Sequence, residues 1–265
     1  MDDTGERDWT SRARICIDFG TALSKAAICL DPMLPLEVGV KPLPIGAISG
    51  AEHPLLTPSV IYVDDGRVYF GPQALQHAHR GVDTQRDPLI SFKTVLGATN
   101  VQEALQTKLR PSMDPTGTFK HRDALVLYIA YLDQLIREAL DLAPNMPRGV
   151  INSRRRYTSP VWRPGSGIDT AFEAIFNEAA AVSDRLGRQF LLQGEGISIA
   201  QCKEALDRAA LAPGNGMLET GIFEPHAAAA AALAFTSQPT RFVMVLDIGA
   251  GTNDMAAFDF DESVE

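Results

Sequence analysis

The sequence contains few cysteines, and their spacing does not suggest a disulfide framework. The chain of 265 residues has three cysteines, Cys16, Cys29 and Cys202. None belongs to a C-x-x-C pair, and their odd number argues against a framework of disulfides. Cys16 and Cys29 lie in apolar, strand-like stretches. We therefore expect both to be small buried hydrophobic residues in a reducing compartment.

Long hydrophobic runs and an excess of positive charge are also lacking. No stretch is long enough to span a bilayer, and residues 1–14 are polar where a secretory signal would be apolar. The formal net charge of -9 disfavours a general binder of nucleic acid or of anionic membranes. The short basic run 154–156 is expected to be a solvated loop. We expect a cytoplasmic protein with neither nucleic acid nor membrane as a partner.

The pattern of apolar and turn-forming residues predicts a mixed α/β chain. Strand–turn–strand units are expected over residues 14–30, 58–70 and 241–258, with possible strand pieces at 149–152 and 157–162. Residues 31–50 are rich in Pro and Gly and are expected to form loop or edge structure. Amphipathic or alanine-rich periodicity predicts helices over these ranges: 72–80, 124–142, 169–186, 198–211 and 225–235.

Two of the hairpins share one plan although more than two hundred residues separate them. In each, an apolar strand ends in Asp, followed by an apolar residue, a Gly-containing turn and a second strand. The aspartates are Asp18 and Asp247. A single Asp-x-Gly turn is weak evidence for a site, but two matched copies are more specific. They indicate two related lobes that each offer one turn to a common cleft.

The chemistry of these turns suits phosphate binding. Glycine lets several backbone N–H groups point the same way and form an anion nest, and threonine adds a hydroxyl donor. Gly20 and Thr21 have this role in the first turn, and Gly249, Gly251 and Thr252 in the second. The two aspartates would repel a phosphate unless a cation lay between them, and hydrated Mg²⁺ is the natural choice.

Five segments resemble one known family and occur in that family's order. Residues 17–21 and 246–254 resemble the two phosphate motifs of the superfamily of actin, hexokinase and heat-shock chaperones. Residues 70–74, 91–97 and 221–229 resemble the Gly-x-x-Ala, Ala-Lys-Arg-Leu-Ile-Gly and Asn-Glu-Pro-Thr-Ala-Ala-Ala segments of its chaperone branch. The chain thus resembles the nucleotide-binding domain of the DnaK-type, 70-kDa heat-shock chaperones.

The resemblance implies roles for particular residues. Asp18 and Asp247 would hold the waters of Mg²⁺, and Asp247 would share in catalysis. Lys93 would reach the terminal phosphate, and Glu224 would position the attacking water or couple hydrolysis to lobe movement. The residues implied to cradle the phosphates of ATP or ADP are Gly20, Thr21, Ala22, Gly249, Ala250, Gly251 and Thr252.

Ordinary structural roles stay open for several of these residues. Lys93 could be a surface lysine, and Glu224 could only complement the positive end of its helix. Lys25 could indicate a first motif of the carbohydrate-kinase kind, but an exposed strand lysine is the simpler interpretation. Asp254 is expected to be structural or to have an indirect role at the site.

The chain departs from the family pattern at four positions and in one segment. Ala22, Ala250, His226 and Asn253 replace the usual Thr, Gly, Thr and bulky apolar residue, and residues 163–218 are longer than the family's connection. Ala resists the positive φ that Gly adopts freely. These changes lower the expected rate of hydrolysis more than the expected affinity for nucleotide.

The fold that the resemblance implies is an RNase H-like α/β lobe of the actin-like ATPase kind. Residues 1–13 are expected to be a disordered lead-in, 14–38 and 122–238 the first lobe, 39–121 an inserted subdomain, and 239–265 the first hairpin of a second lobe. The family's adenosine-binding motif follows the second phosphate turn, and few residues follow it here. We therefore expect a fragment of a longer protein, or a partner that completes the lobe, and an exposed sheet edge.

The implied function is an ATP-binding, slowly hydrolysing switch of a chaperone, with client proteins bound by a module outside this chain. Because the superfamily hosts several activities, fold alone does not decide between them. A small-molecule kinase stays open, with Asp169 as the only suggestive base. So do an actin-like filament or scaffold ATPase and a degenerate module that binds without turnover.

Overall fold

The computed structural model shows a mixed α/β chain. It describes residues 9–64, 66–80, 86–147, 149–159, 167–192, 194–212, 214, 218–234, 242–248 and 253–259. The strands are β1 (Arg14–Phe19), β2 (Leu23–Cys29), β3 (Val40–Leu43), β4 (Thr57–Pro58), β5 (Val60–Val63), β6 (Arg67–Phe70), β7 (Leu89–Ile90), β8 (Arg154–Ser159), β9 (Ile197–Ser198), β10 (Ile222–Phe223), β11 (Phe242–Ile248) and β12 (Asn253–Asp259). The α-helices are α1 (Trp9–Arg12), α2 (Leu36–Gly39), α3 (Ile45–Ser49), α4 (Gly71–Arg80), α5 (Val101–Gln106), α6 (His121–Asp141), α7 (Ile168–Leu186), α8 (Ile199–Leu211) and α9 (Glu224–Ala234). Short 3₁₀ helices cover Phe92–Gly97, Val150–Asn152 and Gly187–Leu191.

The largest sheet is mixed, with the strand order β10-β8-β1-β2-β3 and with β4 paired to β2. Strands β1, β8 and β10 run parallel to one another, and β2 runs antiparallel to both of its long neighbours, β1 and β3. The parallel strands therefore end at the same edge of the sheet. In mixed and parallel sheets this carboxyl edge is where ligands commonly bind.

The first hairpin has the predicted strands but a different distribution of cysteines. Along β1, Ile15, Ile17 and Phe19 are buried, whereas Cys16 between them is exposed. Successive residues of a strand point to opposite faces, so the apolar surroundings of Cys16 in sequence do not place it in the core. The prediction of burial is wrong for Cys16, and Cys29 is only partly buried.

Helix α6 is the central element of the core. The sequence predicts one apolar stripe, but 15 of the 21 residues of the helix are buried. The helix packs against α7 and also contacts α3, α5, α8 and β5. Its buried polar side chains are satisfied across these contacts, as when the Gln134 Nε2 donates to the Ser183 hydroxyl at 2.9 Å. Because several elements enclose the helix, residues of α6 outside the predicted apolar stripe are buried as well.

The basic run 154–156 belongs to β8 and is not a solvated loop. Strand β8 begins at Arg154, and the expected strand piece before it is a 3₁₀ helix. Arg155 is buried because its guanidinium Nη2 lies 3.0 Å from Oδ1 of Asp133 on α6. A buried partner of opposite charge allows the arginine to lie inside the core.

The second sheet has the order β7-β5-β6-β9. The predicted strands β5 and β6 pair through Ile61↔Phe70 to Val63↔Val68. Helices α4, α7, α8 and α9 lie within a few residues of their predicted ranges, and the capping box at Ser198 is present. Strands β3 and β4, expected in the inserted subdomain, pair instead with β2.

The division of the chain into two lobes and an insert stays a prediction. Within the predicted lead-in, residues 9–12 form α1, and residues 1–8 lie outside the described part. In 31–50, helices α2 and α3 accompany the edge strand β3.

The last hairpin forms a two-stranded sheet of its own. Asp247 of β11 is opposite Asp254 of β12. Both strands contact α9, while one face of the hairpin exposes large apolar side chains: Phe242, Met244, Leu246, Ile248 and Met255. None of the described helices combines the length and hydrophobicity that crossing a bilayer requires.

Candidate functional site

A cleft of about 880 Å³ lies at the carboxyl edge of the parallel strands. Its walls come from the β1–β2 turn, from the 3₁₀ helix at residues 92–97, from α9 and from β11. Strands β1, β8 and β10 end here, so their last residues and the first residue of α9 are brought together. The topology thus collects polar groups from distant parts of the chain.

Asp18 lies on the cleft face of β1 and is engaged through both carboxylate oxygens. The Thr158 hydroxyl donates to its Oδ1 at 2.8 Å. Its Oδ2 lies 3.1 Å from the ammonium of Lys25, and the Asp18 side chain is 33% exposed. The partners come from the two strands that flank β1, so the position of the carboxylate is set by the sheet.

Lys93 is a buried cation at the end of the cleft. Its side chain is 6% exposed, and its ammonium donates to the Phe19 backbone carbonyl at 2.5 Å and to Oε1 of Glu224 at 2.7 Å. The ammonium is also 5.4 Å from the centroid of the Phe19 ring. A buried ammonium is costly unless it is paired and hydrogen-bonded, and both conditions are met here. Lys93 is therefore not a surface lysine.

Glu224 is the first residue of α9 and is 14% exposed. A carboxylate at a helix N-terminus is stabilised by the exposed N–H groups there. In addition, Glu224 forms the ion pair with Lys93, so it does more than complement the helix end. Lys93 also donates to the carbonyl of Phe19, the last residue of β1, so the ion pair connects the start of α9 to the end of β1.

The turn after β1 requires glycine for a steric reason. A Cβ on Gly20 would lie 2.1 Å from the Leu23 carbonyl oxygen. Ser59 holds the turn from the other side, since its hydroxyl donates to the Gly20 carbonyl at 2.8 Å and its N–H to the Ala22 carbonyl at 2.8 Å. This backbone is fixed next to the cleft before any ligand enters.

The structure places most of the predicted site residues in one cleft. Its lining includes the six residues predicted from the first motif and from the segments at 91–97 and 221–229: Asp18, Gly20, Thr21, Ala22, Lys93 and Glu224. The backbone of Asp247 lies on β11, whose residues Val245 and Leu246 line the cleft. The Asp247 side chain and residues 249–252, which include Gly249, Ala250, Gly251 and Thr252, lie outside the described part.

Sequence reasoning missed two contributors to the site, Thr158, which donates to Asp18, and Ser59, which holds the first turn. Lys25 is the exposed strand lysine that the sequence predicts, but its pairing with Asp18 was not expected. The sequence contains a clue to Lys25, because a short turn after Asp18 places it on the facing strand. Thr158 and Ser59 reach the site through β8 and the β4–β5 connection, and only the register of the sheet shows this.

A metal at this site would be held mainly through its own waters. Within the described ranges, no cluster of three or more His, Cys, Asp or Glu side chains could bind a metal ion directly. Asp18 is a partly exposed carboxylate facing the cleft, which fits contact with the waters of Mg²⁺, an ion that loses its hydration shell reluctantly. Any such water must share the carboxylate with Lys25 and Thr158.

Cys16 lines the same cleft but is not an activated nucleophile. Although the residue itself is exposed, the neighbouring residues of the cleft wall partly shield its thiol from water, which raises the pKa of the thiol, and the nearby Cys29 raises it further. The thiolate is the reactive form of cysteine, so a raised pKa keeps Cys16 protonated at neutral pH. The chemistry of the cleft therefore depends on its carboxylates, lysines and backbone groups.

A buried ionic cluster fixes β8 from beneath the sheet. The carboxylate of Asp133 accepts from Arg155 of β8, from Arg137 of α6 and from the Ser183 hydroxyl of α7. These contacts connect β8 to both helices of the core. They set the position of the strand that carries Thr158 to Asp18.

Comparison with known proteins adds no assignment to this geometry. No model of a known protein family matches the chain. No curated protein matches it significantly either.

Proposed function

We propose that this cleft binds the phosphates of ATP or ADP, and that the chain is the nucleotide-binding part of a slowly hydrolysing, DnaK-type chaperone switch. The observation that carries the proposal is the buried Lys93 ammonium, held by the Phe19 carbonyl and Glu224 at the carboxyl edge of three parallel strands. A buried lysine beside a glycine-containing turn is a suitable place for phosphate oxygens.

The strand arrangement supports an RNase H-like lobe as part of this proposal. Within the largest described sheet, β2 runs antiparallel to β1 and β3, and helices α6 and α7 pack together as part of one core with the sheet. The resemblances at residues 17–21, 91–97 and 221–229 fall at the first turn, at Lys93 and at Glu224 respectively. Three segments that are distant in sequence thus contribute to one cleft.

In the proposed complex, the protein acts mainly by positioning and by charge. The N–H groups of the first turn would contact phosphate oxygens, and the Lys93 ammonium would offset charge on the terminal phosphate. Glu224 would accept a proton from, and orient, the attacking water. Mg²⁺ when bound supplies further positive charge, and Asp18 is the described carboxylate that would hold its waters.

The kinase alternative has less support from the site. Its only suggestive base, Asp169, is in the first turn of α7 and is not among the described residues that line the cleft. Glu224 is the carboxylate beside Lys93, and its pairing with that lysine suits a hydrolytic or switching role. We therefore propose binding and hydrolysis rather than transfer to a small-molecule acceptor.

Isothermal calorimetry with ATP and Mg²⁺ tests the proposal. We expect saturable binding by the chain and binding at least about tenfold weaker for Lys93→Met, because one charge-assisted contact to phosphate is removed. Lys203→Met is the matched control, since Lys203 is an exposed lysine of α8 that pairs within its own helix. Circular dichroism of each variant establishes that it is folded.

Glu224→Gln separates binding from turnover. It keeps the shape of the side chain, so we expect ATP affinity within about threefold of the unaltered chain and a lower rate of phosphate release. Absence of ATP binding by the folded, unaltered chain would overturn the proposed function. Equal affinity of the unaltered chain and Lys93→Met would show that the site lies elsewhere.

A further inference from the structure

Asp18 has a cationic neighbour in the facing strand. Asp18 and Lys25 are opposite one another in the antiparallel register of β1 and β2. The Lys25 ammonium lies 3.1 Å from Oδ2 of Asp18, and both residues line the cleft. Opposite charges in directly facing positions of a sheet stabilise each other. The pairing is therefore a property of the strand register.

The remaining oxygen of Asp18 is also used. Oδ1 accepts the hydrogen bond of the Thr158 hydroxyl at 2.8 Å. A hydrated divalent cation at Asp18 would need one of these oxygens as an acceptor for its waters. It would then compete with the ammonium of Lys25 on one side or with the hydroxyl of Thr158 on the other.

Lys25 balances the charges of the described residues of the cleft. The described charged groups placed there are two carboxylates, Asp18 and Glu224, and two ammonium groups, Lys25 and Lys93. Without Lys25 the described set would have a net negative charge, which opposes the entry of phosphate. With it, the set is neutral and the repulsion between Asp18 and a phosphate is offset without any metal.

We infer that Lys25 is the cleft's own counter-ion for Asp18, and that it allows nucleotide phosphates to bind with little dependence on a divalent cation. This inference rests on the proposed function and adds to it a residue that sets the cation requirement. Lys25 is 61% exposed, so its ammonium can move between the Asp18 carboxylate and a bound phosphate. Metal then matters for turnover more than for affinity.

The test compares ATP affinity with excess Mg²⁺ and with EDTA, by calorimetry, for the chain and three variants. For the unaltered chain we expect the two dissociation constants to agree within about threefold. For Lys25→Met we expect affinity in EDTA to fall by about tenfold or more and to recover in part with Mg²⁺, because the freed carboxylate accepts the waters of the ion.

Two variants make the result specific to this charge. Lys25→Arg keeps the cation and is expected to retain the behaviour of the unaltered chain. Lys41→Met removes a lysine of β3 that donates to the Glu37 carbonyl, and it should leave both affinities unchanged. Circular dichroism and a urea titration establish that each variant is folded.

Each outcome has a defined meaning. If the unaltered chain binds ATP with Mg²⁺ but at least about tenfold more weakly in EDTA, the inference is overturned while the proposed function stands. The same holds if Lys25→Met and the unaltered chain bind equally well in EDTA. If the unaltered chain binds ATP in neither buffer, the proposed function fails and the inference fails with it.

Discussion

Asp133 shows how a single residue can carry a charge inside this core. The side chain is buried, and burial by itself would raise the pKa of its carboxyl. Arg155, Arg137 and the Ser183 hydroxyl lower the pKa by more than burial raises it, so the net direction is downward. The carboxylate is therefore ionised at neutral pH and paired on several sides.

Replacing Asp133 by Asn tests the value of this charge. The change leaves Arg155 buried without its counter-ion, which we expect to lower the free energy of unfolding at pH 7 by about 3 kcal/mol. Urea unfolding followed by circular dichroism measures the loss. The control is Asp184→Asn: the Asp184 carboxylate is 62% exposed and lies 2.8 Å from Nη2 of Arg137, and its removal should cost about 1 kcal/mol or less.

The difference in unfolding free energy between the unaltered chain and Asp133→Asn should depend on pH. A carboxyl whose pKa is lowered by folding stabilises the native state above its unfolded-state pKa, and this stabilisation is lost as pH falls through the folded-state pKa. The difference in stability between the chain and Asp133→Asn should therefore be full at neutral pH and narrow as pH falls below about 4. A difference in unfolding free energy that increased at acid pH would contradict the lowered pKa of Asp133.

At the scale of the element, the β1–β2 hairpin fixes the candidate phosphate site. Its turn is so tight that the backbone of Leu23 occupies the place where a side chain on Gly20 would begin. Ser59 anchors both ends of the turn by hydrogen bonds to the carbonyls of Gly20 and Ala22. The hairpin therefore presents Thr21 and Asp18 to the cleft in one geometry.

Gly20→Ala should disturb both the stability of this hairpin and its ligand site. The added methyl would lie 2.1 Å from a backbone oxygen, so the turn must shift. We expect a loss of about 1–3 kcal/mol in the free energy of unfolding, measured by urea titration, and weaker ATP binding measured by calorimetry.

Gly97→Ala is the matched control for this prediction. An added Cβ at Gly97, the last residue of the 3₁₀ helix that carries Lys93, meets no atom within 4 Å. We expect a change of at most about 0.5 kcal/mol in the free energy of unfolding. Equal effects of the two substitutions would mean that the close approach at Gly20 does not determine the turn.

At the scale of the whole molecule, the last hairpin has two unlike faces. One face lies towards α9 and the cleft, where Val245 contributes to the lining. On the other, Met244 is 64% and Ile248 is 74% exposed, and Phe242 and Met255 are exposed as well. A contiguous exposed apolar patch on a strand pair promotes association of protein chains.

Charges placed on this face should reduce self-association. We expect the purified chain to show concentration-dependent association in sedimentation velocity, and the double variant Met244→Lys, Ile248→Lys to show less of it. Met33→Lys is the control, because Met33 is 86% exposed at a site remote in sequence from the hairpin. A monomeric unaltered chain at the highest concentrations tested would contradict the prediction.

Local patterns determined much of this molecule because they depend on neighbouring residues. Apolar runs on either side of Gly-containing turns were enough to predict the paired strands of both hairpins within residues 14–30 and 241–258, and the capping box at Ser198 was enough to predict the start of α8. Gly20 could be identified as a turn residue because a tight turn restricts the residue type at its centre. In the same way, Lys93 and Glu224 were selected from short segments that resemble known motifs.

The tertiary structure decided which of these residues meet, because contacts between distant segments depend on strand order and register. Strand β8 pairs with β1, so Thr158 reaches Asp18, although 140 positions separate them. The same pairing makes Arg155 a core residue with Asp133 as its partner, where the sequence alone predicted a solvated loop. Cys16 is exposed although its neighbours in sequence are apolar, because the core packs against the face of the sheet that carries Ile15 and Ile17 and leaves the opposite face open. Residue type and local spacing thus supplied the candidate groups, and sheet pairing and burial determined their charges, partners and access to the cleft.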